Sequence, residues 1–289
     1  MIRAAALASI ALAAAAVPPA ARAQVLEPRG EWRLTTGESV CRAARSFGPD
    51  DAQMALFVEK HAPGGNFQAS VIGADLPRDN RKARNIAIGF DGEETRQIAA
   101  INARAGDMGM LTFQLTGQQT GSTGAWRTAY VWSGERPAHF DMPLPADARS
   151  LTVQAPAHAA ATLETGPLDE PLAFLEQCAR SLAAEQEPDA LSVARPPVMR
   201  NVNDAARIMR QPDAWKVARA STLIHWRLLV DEEGRVEDCA ILAPQFDESW
   251  QRRLCREMAG ALRFDPARDA AGAEVSAPVY GSSMALIYD

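Results

Sequence analysis

The stretch WRLLVDEEGRVEDCAILAPQFDESWQRRLCREMAGALRFDPARD, residues 226–269, decides the fold of the last third of the chain. At its start, Thr222–Val230 alternates between apolar and polar residues, which predicts a half-buried β-strand with His225 on its polar, solvent side. Asp231–Gly234 predicts a turn in which glycine supplies a positive φ. Arg235–Leu242 predicts the returning strand, so the pattern indicates a β-hairpin.

A helix and one more strand are predicted after the hairpin. Asp247 suits an N-cap, and apolar residues then recur at helical spacing as far as Gly260 and just beyond. These apolar residues are Trp250, Leu254, Met258 and Ala261. Glu274–Ile287 predicts a last strand, broken at Gly281–Ser283. The order strand, strand, helix, strand predicts an α+β unit in which one helix crosses a three-stranded antiparallel sheet.

These residues resemble the C-terminal domain of TonB-type energy transducers, in the two-cysteine form common in alphaproteobacterial sequences. The matching features are the V-D-x-x-G-R-V hairpin at Val230–Val236, Asp238-Cys239, Cys255, Arg263-Phe264-x-Pro266-Ala267 and Asp269-x-x-Gly272. The resemblance covers residues 198–289 and implies a non-enzymatic periplasmic β-β-α-β module, with no catalytic residue, metal or cofactor. Such a module pairs with an extended segment of an outer-membrane receptor and passes on force from a proton-driven motor in the inner membrane.

The resemblance also implies where a partner would bind. An unpaired sheet edge offers its N–H and C=O groups to an incoming extended peptide. In this family the candidate edge is the last strand. Its candidate partner-binding residues are Val275, Val279, Tyr280, Met284 and Leu286. The implied partner is an outer-membrane receptor or another envelope protein.

Residues 1–23, MIRAAALASIALAAAAVPPAARA, have the features of a secretory signal peptide. Arg3 supplies the positive start, Ala4–Val17 is an uncharged run of 14 residues, and Ala21-Arg22-Ala23 is an A-x-A cleavage site. The run is shorter than the about 20 residues of a membrane span. We therefore expect cleavage after Ala23, export to the periplasm and a mature chain that does not span the membrane. An uncleaved inner-membrane anchor is the alternative.

Residues 24–185 predict a β-rich domain with a sandwich-like or barrel-like fold. Short runs of branched and aromatic residues alternate there with clusters of turn-forming residues. The runs are Met54–Val58, Phe67–Ile72, Asn85–Phe90, Met110–Leu115, Trp126–Trp132 and Ser150–Val153. An amphipathic helix, Leu168–Ala184, ends this domain. A polar linker at 186–197 leads to the C-terminal domain, 198–289, where Asn203–Met209 predicts a short helix.

Four cysteines belong to the exported chain: Cys41, Cys178, Cys239 and Cys255. An even number in an oxidising compartment predicts structural disulfides. A bond from Cys178, on the apolar face of its helix, to Cys41 would tie that helix to the β-rich domain. A bond between Cys239 and Cys255 would pin helix to sheet in the C-terminal domain. Four cysteines allow three connectivities, so the pairing stays open here.

Composition narrows the function classes. The 36 acidic and 30 basic residues give a formal charge of −6, which argues against a nucleic-acid partner because such proteins carry clustered basic excess. The sequence contains no G-x-S-x-G motif, no C-x-x-C pair and no metal-ligand spacing among its histidines.

We therefore expect a non-enzymatic periplasmic protein that binds an envelope partner by strand addition and is associated with outer-membrane transport. A folded domain takes the place of the long spacer of a transducer. One alternative is a membrane-anchored energy-transducer component for TonB-dependent receptors. The other is a periplasmic enzyme with its site in the β-rich domain, for which no residue set stands out.

Overall fold

The computed structural model describes residues 23–64, 66–79, 82–116, 139, 141–145, 147–186, 193–201, 221–242 and 247–287, together with the backbone of 126–133. The predicted signal peptide, apart from Ala23, lies outside the described residues. So do much of the predicted linker and the predicted short helix at Asn203–Met209.

The described chain is β-rich, as predicted, and contains two α-helices. The first part contains β1 (Gln24–Leu26), β2 (Pro28–Thr36), β3 (Cys41–Phe47), β4 (Met54–Lys60), β5 (Asn66–Gly73), β6 (Lys82–Phe90), β7 (Arg96–Ala105), β8 (Met108–Thr116), β9 (Trp126–Ser133), β10 (Asp141–Pro143), β11 (Leu151–Gln154), β12 (Ala161–Leu163) and α1 (Asp169–Gln186). The second part contains β13 (Val198–Met199), β14 (Thr222–Val230), β15 (Val236–Leu242), α2 (Glu248–Ala261), β16 (Phe264–Asp265), β17 (Ala267–Arg268), β18 (Glu274–Val275) and β19 (Ala277–Ile287).

The first sheet curls into a nearly closed, barrel-like shape. Its eleven strands run in the order β1-β12-β11-β6-β7-β8-β5-β4-β3-β2, with β10 beside β8. A single residue, Glu27, joins the two end strands β1 and β2, so the chain itself brings the ends of the sheet together. One large apolar core belongs to this sheet, and its fully buried side chains include Phe47, Phe90, Ile98 and Phe113.

Helix α1 packs against β2, β3 and β4 and is fastened there in two ways. Cys178 is disulfide-bonded to Cys41 across 137 positions of sequence, and closing so long a loop contributes about 4–5 kcal/mol in the chain-entropy model. Fully buried Lys60 of β4 forms an ion pair with Glu176 of α1, at 2.9 Å from Nζ to Oε2. Burial lowers the pKa of Lys60, and the charge of Glu176 opposes that shift. These bonds fix α1 on the barrel-like sheet.

Strands β14, β15 and β19 form antiparallel pairs, and α2 packs with them. The strand order is β15-β14-β19. Asp247 caps α2 as predicted, since its carboxylate accepts a hydrogen bond from the backbone N–H of Trp250 at 3.0 Å. The core shared by strands and helix includes Trp226, Leu228, Leu254, Met258 and Phe264.

Two local features hold the hairpin and the helix in place. Cys239 of β15 is disulfide-bonded to Cys255 of α2, so the expectation of structural disulfides is confirmed. Gly234 in the hairpin turn has φ 78°, and a Cβ at this residue would lie 2.0 Å from the carbonyl oxygen of Phe264. Glycine is therefore what lets the N–H of Phe264 bond to the carbonyl of Gly234, at 2.9 Å.

Strand β19 runs without interruption through Gly281–Ser283, where the sequence predicted a break. The prediction is wrong because both end residues of this tripeptide contact Trp226 of β14. A Cβ at Gly281 would lie 2.1 Å from Cζ2 of Trp226, so glycine leaves room for the indole ring on the strand. The indole N–H donates to Oγ of Ser283 at 3.0 Å. Glycine and serine are packing partners here, not turn residues.

Strand β9 joins the C-terminal sheet, not the barrel-like sheet. It pairs in parallel with β19, from Trp126 opposite Gly281 to Ser133 opposite Ile287. The strand predicted at Trp126–Trp132 is thus present, but its placement in the first domain is wrong. The C-terminal sheet has four strands in the order β15-β14-β19-β9, where we predicted three.

We expect Gly281→Ala to lower the free energy of unfolding by about 1–3 kcal/mol, because the added methyl group overlaps the rigid ring of Trp226. Gly260→Ala is the matched control. Nothing lies within 4 Å of a Cβ at Gly260, and alanine favours a helix interior by about 0.8–1 kcal/mol. Urea unfolding of both variants measures the effects, and equal destabilisation by the two substitutions would contradict the packing role of Gly281.

Candidate functional site

The five residues predicted to bind a partner do not all lie in one strand. Val279, Tyr280, Met284 and Leu286 lie in β19, whereas Val275 lies in β18, which pairs with β17. The four side chains in β19 are at most 5% exposed. They are already packed inside the protein, so an extended partner along this strand would meet its backbone.

The two faces of β19 pack against different parts of the molecule. Val279 belongs to the core that the strand shares with α2. Met284 and Leu286 belong to another cluster, with Leu223 of β14 and Ile101 of β7. Strand β19 is therefore held between the helix on one face and the barrel-like sheet on the other.

Backbone groups of β19 alternate between its two sides. The amide of Ile287 donates to Oγ of Ser221, just before β14, at 2.9 Å, so odd-numbered residues direct their N–H and C=O groups towards β14. Even-numbered residues make no ladder bond to β14. Pro278, which has no N–H to donate, is one of them, as expected. Even-numbered residues within Ser282–Leu286 therefore direct their groups away from β14. We call this row of groups the outer edge of β19.

The outer edge of β19 is occupied, where the resemblance led us to expect an open one. Strand β9 lies along it over Gly281–Ile287. In a parallel ladder of this register, the outward N–H and C=O groups of β19 bond to β9. The outer strands of this sheet are therefore β9 and β15. The site is an edge that already holds an extended segment of its own chain.

Polar contacts seat the C-terminal sheet on the barrel-like sheet. Gln114 of β8 donates to Oγ of Ser282 at 2.7 Å. Nε2 of His225 lies 3.2 Å from Oε1 of Gln68 in β5. Gln68 in turn donates to Glu59 at 2.8 Å, and Glu59 accepts from Arg42 at 2.7 Å. A chain of hydrogen bonds thus leads from β14 to an ion pair on the barrel-like sheet.

Two histidines stack where the sheets meet. The ring centroids of His61, just after β4, and His225 lie 4.0 Å apart, with their planes 19° from parallel. Burial lowers the pKa of His225 well below its usual value, and the neighbouring His61 lowers it further. Burial also lowers the pKa of His61, against the opposing charge of Glu59. Both rings are therefore neutral at pH 7. The prediction that His225 faces solvent is wrong, because the barrel-like sheet covers that side of its strand.

A cavity of about 370 Å³ lies between the barrel-like sheet and the start of β14. Its lining includes Arg42, Glu59, Ser70, Thr112 and Thr222. Arg42 and Glu59 are bonded to each other, and the hydroxyls of Ser70 and Thr112 lie 2.9 Å apart. These described lining residues supply hydrogen-bonding groups to the cavity.

The described residues contain no group of three or more His, Cys, Asp or Glu placed to hold a metal ion. All four cysteines are in disulfides, so they supply no thiolate. None of the helices in the described ranges combines the length and apolar character needed to cross a membrane.

Comparison with known proteins identifies no relative of this chain. It matches no protein-family model, no curated protein and no solved structure. The resemblance to TonB-type C-terminal domains therefore depends on the sequence features quoted for it.

Sequence reasoning missed two parts of this site. The alternation in Trp126–Ser133 identifies a strand but gives no information about which sheet it joins. His61 is a lone histidine at a strand end, with no local signal that links it to His225.

The stacked histidines predict a loss of stability in acid. A histidine whose pKa is lowered by folding contributes stability that is complete above its unfolded pKa and declines as the pH falls below it. We expect the free energy of unfolding to fall below about pH 6.5, by up to about 1.4 kcal/mol per pH unit for each histidine. Urea unfolding at pH 7.5 and pH 5 measures this loss.

His225→Gln is expected to reduce the acid-dependent loss, because the amide keeps a hydrogen-bond donor for Gln68 without titrating. His158→Gln, in the turn after β11, is the matched control and should retain the full loss. The same pH dependence in both variants would contradict the assignment to the stacked pair.

Proposed function

We propose that this protein is a non-enzymatic, extracytoplasmic binding protein that holds an extended segment of an envelope partner at the outer edge of β19 by strand addition. One observation carries the proposal: this edge already pairs with an extended segment, β9, in parallel over Gly281–Ile287. The sequence resemblance to TonB-type C-terminal domains supports the same use of the last strand.

The surroundings of β19 suit strand addition. Backbone hydrogen bonds supply the affinity in this binding mode, and they need a strand that is held straight before the partner arrives. Strand β19 is packed on both faces, by the core with α2 and by the barrel-like sheet. The Cys239–Cys255 disulfide further stiffens the strand–helix unit behind it. The edge is thus preorganised for an extended ligand.

Several features support a periplasmic location for this function. Residues 1–23 have the pattern of a cleavable signal peptide, and both disulfides are of the kind that persists in an oxidising compartment. In the proposed layout, residues 24–185 form the barrel-like domain, except that β9 joins the sheet of the TonB-like binding domain, residues 198–289. An outer-membrane protein or another envelope protein supplies the segment.

Photo-crosslinking in the source cells tests this function. One variant carries Glu274→p-benzoylphenylalanine, three residues before β19 begins. The matched control carries Glu237→p-benzoylphenylalanine in β15, on the opposite side of the sheet. Both positions are exposed. Mass spectrometry identifies each crosslinked protein and the segment bound.

We expect position 274 to crosslink an envelope protein within one extended segment, with a yield about tenfold or more above that from position 237. Adducts mainly from position 237, or none from either position, would contradict binding at the outer edge of β19.

A further inference from the structure

Strand β9 is carried by an arm whose two ends are held at one place. We define the arm as residues 117–140, between β8 and β10. Thr116, just before the arm, pairs with Pro143, three residues after the arm ends, and the N–H of Leu144 donates to the carbonyl of Thr116 at 2.7 Å. Near its end, the carbonyl of His139 accepts a hydrogen bond from Ala99 of β7 at 3.0 Å. The described residues on the two sides of the arm are therefore held together on the barrel-like sheet.

Release of β9 from β19 would leave the rest of the described sheets paired. The neighbours of β8 in the barrel-like sheet are β5, β7 and β10, and β9 is absent from that sheet. In the C-terminal sheet, β9 is the outermost strand and pairs with β19 alone. Only the ladder over Gly281–Ile287 would open, while β14 would stay on the other side of β19.

We propose that β9 is a resident, displaceable occupant of the outer edge of β19, and that a partner binds by taking its place in the same parallel register. This inference rests on the proposed function. It adds that β9 regulates access to the edge, and it specifies the chemistry of the partner segment. A strand of the same chain competes with a free segment through its effective concentration at the edge. The apparent affinity for a free segment is the intrinsic affinity multiplied by the fraction of molecules whose edge is open. Occupation of the edge by β9 therefore weakens binding of a partner.

The sequence of β9 describes the segment that this edge accepts. Ala129 and Val131 stand opposite Met284 and Leu286 in the register, where β19 packs in the apolar cluster with the barrel-like sheet. WRTAYVWS has a single charged residue, Arg127. The partner segment is therefore extended and weakly charged, runs parallel to β19, and has small or aliphatic residues at these two alternate positions.

The register also selects the substitution that releases β9. Outward groups of β19 belong to even-numbered residues, so the carbonyl of Met284 accepts from the N–H of Tyr130, one position beyond its opposite residue Ala129. The N–H of Ala129 points away from β19. Tyr130→Pro therefore removes a ladder bond, whereas Ala129→Pro removes none. Tyr130→Ala is the second control, because it removes the ring and keeps the N–H.

The test titrates the full mature chain with a fluorescein-labelled peptide, GAWRTAYVWSG, which copies residues 124–134. Fluorescence anisotropy measures the dissociation constant. We expect Tyr130→Pro to bind the peptide about tenfold or more tightly than the wild type, because loss of this ladder bond weakens the pairing of β9 and raises the fraction of molecules whose edge is open. Ala129→Pro and Tyr130→Ala should stay closer to the wild type than to Tyr130→Pro.

The outcomes separate this inference from the proposed function. Equal peptide affinity in the wild type and Tyr130→Pro would overturn displacement and leave strand addition standing. A folded Tyr130→Pro variant that binds no peptide would overturn both. A paramagnetic label at the peptide N terminus should broaden the amide signal of Gly281 and spare that of Ile287. The reverse pattern would overturn the parallel register.

Hydrogen exchange of the unmodified protein provides a measurement that does not depend on any variant. If β9 transiently leaves β19, the outward amides of Ser282, Met284 and Leu286 become exposed to solvent without global unfolding. We expect them to exchange about tenfold or more faster than the inward amides of Ser283 and Ala285, which bond to β14. Equal protection of both sets would overturn the proposal.

Discussion

The contact between the indole ring of Trp226 and the backbone of Gly281 sets the register on which the rest of the site depends. No side chain fits between them, since a Cβ at Gly281 would lie 2.1 Å from the ring, and the indole N–H also bonds to Ser283. Because a strand directs alternate backbone groups to opposite sides, a slip of one residue would exchange the inward and outward rows of β19. One aromatic packing contact thus decides which amides face β14 and which are offered to another strand.

The side chains of β19 are committed to two interfaces, so the strand contributes to recognition mainly through its backbone. The interface with the barrel-like sheet mixes an apolar cluster around Leu286 with the polar contacts of Ser282 and His225. That mixture makes the seating of the sheet dependent on neutral imidazoles, while the core with α2 contains no such group among its members. The two faces therefore respond differently to acid, although they belong to one strand.

Local patterns predicted the elements well and their neighbours poorly. Alternation gave Thr222–Val230 with the bounds that the structure has, and Asp247 caps α2 because N-cap chemistry involves only nearby residues. The break predicted at Gly281–Ser283 is absent. Glycine and serine usually favour turns, and their packing against Trp226 cannot be read locally because Trp226 lies far away in sequence. The same limit applies to β9 and to His225. Strand periodicity identifies a face or an edge, but which distant surface covers it depends on tertiary pairing.

The order of the disulfides along the chain has a consequence for assembly. The first cysteine is bonded to the second and the third to the fourth, in Cys41–Cys178 and Cys239–Cys255. In the proposed export, the chain emerges N-terminus first and presents Cys41 and Cys178 before either of the other two cysteines. Oxidation in order of emergence then produces the native connectivity directly, and an isomerase has no crossed bonds to reshuffle.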